Sequence, residues 1–121
     1  GAEVYVCELD FEAVRTQLDD ERVFHALPRF PSVTRDLALV CDESLTVGQI
    51  ERCITQAAGK LLQKINLFDI YRGPAIPAGK KSVAFSLELR ADDRTLTDDD
   101  STGVVNAVLE KLKDELNVVL R

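Results

Sequence analysis

The feature that most constrains the fold is the alternation from Ser82 to Arg90. Val83, Phe85, Leu87 and Leu89 are apolar, and Ser82, Ala84, Ser86, Glu88 and Arg90 around them are small or polar. A period of two puts all four apolar side chains on one side of a pleated strand, so this run must rest one face on a core and turn the other away from it. The earlier run Leu67–Tyr71, rich in branched and aromatic residues, reads as its hairpin partner. Between the two, Gly73, Pro74, Pro77 and Gly79 break both helix and ladder, leaving a loop that ends in Lys80 and Lys81 and begins beside Arg72. With Phe68 and Ile70 directed to the core beside Val83, Phe85 and Leu87, alternation predicts that Asp69, Tyr71 and Ser82 emerge together on the outer face. An acceptor, a ring and a hydroxyl on an open sheet, ringed by cations, are groups that stack on an unpaired base and bond its edge.

The remaining periodicities place this hairpin. Val4–Phe11 alternates loosely and predicts a strand, Phe11–Leu18 a helical turn or two, and Asp19, Asp20 and Glu21 a solvated loop. Pro28 and Pro31 force an extended connector, because the residue before a proline is pushed out of the helical region. Val33–Cys41 follows as a strand with Leu37, Leu39 and Cys41 on one face and Ala38 and Val40 on the other, the pattern of a central strand covered on both sides. Arg35 and Asp36 at its start form either a local ion pair or, with Arg35, a phosphate contact. Thr46 and Gln49 have the spacing of a capping box, and Val47, Ile50, Ile54, Ala57 and Leu61 recur at helical spacing, in a helix that ends near Gly59. A second helix opens at Thr97, whose hydroxyl suits an N-cap, with Asp98, Asp99 and Asp100 at the positive end of the helix dipole. Adjacent carboxylates on a helix diverge, so the triplet predicts capping rather than a metal site. Val104, Val105, Val108, Leu109, Leu112 and Leu116 give this helix one apolar face, and Asn117–Leu120 suits a closing strand. Strand, helix, strand, strand, helix, strand is the order of an α+β ferredoxin-like sandwich: a four-stranded antiparallel sheet, two helices on one face, the other face open.

Composition narrows the function. The 121 residues suit a single domain with a real core. No apolar run approaches the roughly 18 residues of a membrane helix, and nothing at the start reads as a signal peptide. The chain contains no methionine, which leads us to expect a piece of something longer. Cys7, Cys41 and Cys53 lack metal-ligand spacing, and His25 is the sole histidine. We therefore expect buried reduced thiols, no metal, and a reducing compartment, the cytosol. The net charge of −6 argues against a polyanion partner, but residues 1–27 carry −5 of it and Lys60–Arg90 carries +4. No serine or cysteine has a nearby base, and the acidic turn CDESLT, Cys41–Thr46, does not suit the anion cradle of an acylphosphatase, so no catalytic role is expected. A general RNA-recognition domain of this topology needs two or three rings on the open face, where only Tyr71 is available. A protein-interaction module without RNA binding remains the alternative.

The run FDIYRG, followed by GKKSVAFSLEL and RTLTDDD, with FPSVTRDLALV before and NVVLR after, resembles the C-terminal ferredoxin-fold anticodon-binding domain of bacterial phenylalanyl-tRNA synthetase β subunits. The resemblance spans residues 28–121. It implies that residues 1–27 are the tail of a preceding synthetase-like domain plus a connector, poorly anchored or packed on a neighbour. It implies an accessory, non-catalytic domain that holds the anticodon stem-loop of tRNA-Phe as part of a heterotetramer with the remaining β subunit and an α subunit, which uses ATP and Mg²⁺. By motif match it implies Asp69, Tyr71 and Ser82 as contacts to the first anticodon base, with Arg72, Lys80 and Lys81 on phosphates.

Overall fold

A computed structural model of the chain describes residues 1–18, 24 and 27–121. The expected loop at Asp19, Asp20 and Glu21, and His25, lie outside the described residues. The elements in order are α1 (Phe11–Arg15), β1 (Val33–Asp42), α2 (Val47–Ala58), β2 (Leu62–Tyr71), β3 (Lys80–Leu89), α3 (Asp98–Leu116) and β4 (Val119–Leu120), with a 3₁₀ turn at Gly59–Leu61 between α2 and β2. The strands form one four-stranded sheet in the order β2-β3-β1-β4, every pairing antiparallel. This is the expected ferredoxin-like sandwich.

Local chemistry sets the helix ends. At α2 the Gln49 side chain accepts from the backbone N–H of Thr46 at 2.9 Å, and Gly59 ends the helix with φ +59, a conformation that favours glycine. At α3 the Asp100 carboxylate accepts from the N–H and hydroxyl of Thr97 and from Arg94, which together hold its carboxyl well below the usual carboxylate range. Asn117 closes α3 in the left-handed region, and the N–H of Val118 reaches back to Leu112 at 3.1 Å. The acidic triplet is thus a helix start. Among the described residues no group of His, Cys, Asp and Glu could hold a metal ion.

One core lies between the helix pair and the sheet. Leu37, Leu39 and Cys41 of β1 and Val83, Phe85, Leu87 and Leu89 of β3 meet Ile50, Cys53 and Ile54 of α2 and Val108 and Leu112 of α3. β1 is central, as predicted, but covered on one face only: Ala38 and Val40 face the side without helices and are half-buried. The thiol expectation divides, with Cys41 and Cys53 buried and Cys7 exposed.

The N-terminal segment departs most from expectation. No strand forms over Val4–Phe11, and only the short α1 lies in the helical stretch. Val4, Tyr5, Val6, Leu9 and Phe11 are all largely exposed. Alternation predisposes to a strand, but a ladder needs a neighbour, and this one has none among the described residues. Nor is any helix long and apolar enough to cross a membrane, among the described residues.

Candidate nucleic-acid interface

Strand register fixes which side chains share the face opposite the helices. Ser82 of β3 lies between Val40 of β1 and Tyr71 of β2, and Ala84 lies between Ala38 and Asp69. Asp69, Tyr71 and Ser82 therefore occupy adjacent places on one face, as the alternation required. The reason differs from the predicted one. Strict alternation across Leu67–Tyr71 directs Phe68 and Ile70 to the core, whereas β2 bulges between Leu67 and Asp69. Phe68 is the inserted residue, so Leu67, opposite Phe85, takes the core position and Phe68 stands 55 % exposed. Ile70, opposite Val83, keeps the core-side register but lies at the sheet's end and is 38 % exposed.

The three residues are not equally accessible. Asp69 is exposed and Tyr71 half-buried, but Ser82 is only 3 % exposed and so is not the bare hydroxyl expected. Over the neighbouring Tyr71 ring lies a residue that sequence reasoning passed over. Arg121, beyond β4, donates its backbone N–H to Ala38 at 2.8 Å, and its guanidinium carbon lies 5.3 Å from the centre of the Tyr71 ring. A cation and a ring from opposite edges of the sheet thus meet above a floor of small side chains, Ala38, Ser82 and Ala84. The ring is also seated from the loop side: a Cβ on Gly73 would stand 2.2 Å from the Tyr71 hydroxyl oxygen, so only glycine leaves the ring its place. The closing NVVLR run carried the only signal for Arg121, as part of the resemblance, with nothing local to mark it.

The predicted cations separate. Lys80 sits on the same face and pairs with Asp42 at 3.1 Å. Arg72 pairs with Glu43 at 2.6 Å, a contact that lowers the Glu43 carboxyl and raises the guanidinium. Lys81 has the opposite register: it is 7 % exposed and donates to the backbone carbonyl of Glu43 at 2.8 Å, which ties the turn after β1 to β3. Arg35 lies on the helix face, where it donates to Asp98 and Ser101 of α3 at 2.8 Å each and so clamps β1 to the helix start. Neither Lys81 nor Arg35 is brought to the open face. The +4 counted along Lys60–Arg90 is offset in space because Asp42 and Glu43, which precede that window, fold onto its cations.

An exposed acceptor and a half-buried ring with a guanidinium over it, with no helix above them among the described residues, form a surface suited to binding rather than reaction. Comparison with known proteins points the same way. The model of the ferredoxin-fold anticodon binding domain matches residues 28–121. Among curated proteins, the chain is 45 % identical over 119 residues, 98 % of its length, to a phenylalanine–tRNA ligase β subunit of Bacillus subtilis. It is 40 % identical over 117 residues to the β subunit of Clostridium acetobutylicum and 44 % identical over 110 to that of Symbiobacterium thermophilum, covering 97 % and 91 % of this chain. It spans 15 %, 15 % and 12 % of the length of these relatives. By fold, motif and relatives alike, the chain belongs to the ferredoxin-fold anticodon binding domain family.

Proposed function

We propose that the open face of the sheet binds the anticodon stem-loop of tRNA-Phe, and that the chain serves as an accessory, non-catalytic part of a phenylalanine–tRNA ligase β subunit. The observation that carries this reading is the juxtaposition of Asp69 and Tyr71 on a face that no helix covers among the described residues, with Arg121 across from them. Tyr71 stacks on the first anticodon base, and the acceptor-only carboxylate of Asp69 suits the donor edge of a guanine. Ser82 is reached only once the Arg121 guanidinium lifts from the ring, and its hydroxyl then bonds a base edge or sugar. Arg72 and Lys80 contact phosphates by exchanging their carboxylate partners, since exposed ion pairs are worth about 0–1 kcal/mol. Lys81 and Arg35 have structural positions and stay outside the contact.

The exposed apolar side chains of residues 1–18 then rest on the remainder of the β subunit. ATP and Mg²⁺ belong to the catalytic α subunit of the heterotetramer, this domain holds no cofactor, and the assembly works in the cytoplasm. One stacked base contributes roughly 1–3 kcal/mol, so affinity in isolation is weak and specificity depends on tethering to an enzyme that already grips the acceptor end. The test is Tyr71→Ala in the whole ligase. Aminoacylation of tRNA-Phe falls through a raised KM for tRNA, while ATP-dependent activation of phenylalanine is unchanged. Equal loss in both assays, or loss in neither, contradicts the anticodon role.

A further inference from the structure

We infer that the open face carries a second nucleotide subsite, built from Lys64, Asn66, Ser86 and Thr34, which takes the ribose-phosphate of another nucleotide of the strand whose base stacks on Tyr71; this rests on the function proposed above. Register places Lys64, Glu88 and Thr34 in one row across β2, β3 and β1, and Asn66, Ser86 and Asp36 in the next, on the same face as Ser82 and Tyr71. There Thr34, Lys64, Asn66, Ser86 and Glu88 line a shallow depression of about 260 Å³. Ser86 is four residues from Ser82 along β3, about 13 Å at roughly 3.3 Å per residue. A base stacked on Tyr71 cannot fill both places, but a continuous strand can cross both.

Pairing sets Lys64 apart from the cations named above. Lys80, Arg72 and Arg35 are each held by a carboxylate, and Lys81 by a carbonyl. Lys64 is exposed and has no carboxylate within ion-pair distance among the described residues, although Glu88 is its cross-strand neighbour. Its ammonium is therefore available to a phosphate without breaking an existing pair. Beside it, the Asn66 amide and the hydroxyls of Ser86 and Thr34 offer donors and acceptors to a ribose hydroxyl or base edge, and Glu88 accepts from donor groups. Asp36 and Glu88 oppose a second phosphate, so the subsite takes a single one.

The experiment measures affinity of the whole ligase for tRNA-Phe across a range of KCl concentrations, with Lys64→Gln and, on the outer side of the helix layer, Lys113→Gln. Loss of one phosphate contact lowers the slope of log K against log salt by about 0.7. We expect that change for Lys64→Gln and none for Lys113→Gln, with Asn66→Ala weakening binding at an unchanged slope. If Tyr71→Ala weakens tRNA binding while Lys64→Gln leaves the slope intact, the second subsite is overturned and the stacking site stands. If neither variant affects tRNA, both fall. Loss of subunit association in Lys64→Gln marks this area as a protein contact and also overturns the subsite.

Discussion

Gly73→Ala separates the position of the Tyr71 ring from the stability of the fold. The added Cβ would meet Oη at 2.2 Å, Cζ at 2.5 Å and Cε1 at 3.0 Å. Ordinary carbon contacts lie near 3.5–4.0 Å, so the ring tip must move by roughly 1.3 Å or more. The backbone tolerates alanine, because Gly73 is not among the glycines with positive φ. What moves is a side chain at the sheet's end, and the cost to folding is loss of the Arg121 contact, about 0.5–1 kcal/mol at an exposed site. Binding loses up to the whole stack, roughly 1–3 kcal/mol, which is about a 5- to 150-fold rise in Kd. Gly79→Ala is the opposite case: its Cβ meets nothing within 4 Å, but φ is +78, so it costs about 1 kcal/mol of folding and leaves RNA affinity alone. Thermal melts together with titration of an anticodon stem-loop into ligase carrying each variant distinguish the two. If Gly73→Ala binds like the parent, the seat of the ring does not matter to binding and the reasoning fails.

Three further outcomes follow from contacts elsewhere. Arg35→Ala removes charge-assisted bonds to Asp98 and the buried Ser101; it lowers unfolding stability in urea by about 1–2 kcal/mol and leaves tRNA affinity unchanged. Asp100 has a depressed folded-state pKa, chiefly through Arg94 and Thr97, so its stabilising effect is present above the ordinary carboxylate range and lost as pH falls below it. Asp100→Asn therefore flattens the acid limb of a stability–pH curve between about pH 4 and 2, and an unchanged limb contradicts this. A thiol reagent at neutral pH modifies Cys7 quickly and all three cysteines only after denaturation, since burial pushes the Cys41 and Cys53 thiols up.

Much of this architecture is legible without coordinates, because the readable parts depend on local rules. The alternation of β3, the Thr97 start of α3 and the Gly59 stop of α2 each follow from a few adjacent residues. Asp69 and Tyr71 also reach the face opposite the helices, though through an incorrect phase for Phe68: a bulge shifts the register, and it is set by pairing with β3, which a single strand's pattern does not encode. Ser82 reads as exposed because its own strand puts it on the outer face; it is buried between Val40 and Tyr71 of the neighbouring strands, and the Tyr71 ring in turn lies under Arg121, 39 residues from Ser82 in sequence. The basic patch is a count along the chain, and Asp42 and Glu43 join it only when β1 and β3 pair. Arg35 and Lys81 have the register of the helix face, in phase with the apolar residues of their own strands, Leu37 and Val83, and that alternation is visible in the sequence.

The most direct measurement is a backbone and side-chain NMR titration of this chain with an anticodon stem-loop, repeated with a loop that lacks the first anticodon base. Perturbations on the open face, centred on Asp69, Tyr71, Ser82, Ala84 and Arg121 and greatly reduced at these residues with the abasic loop, are the predicted result. Perturbations mapping instead to the outer surfaces of α2 and α3, or the same with either loop, contradict the assignment of the open sheet face.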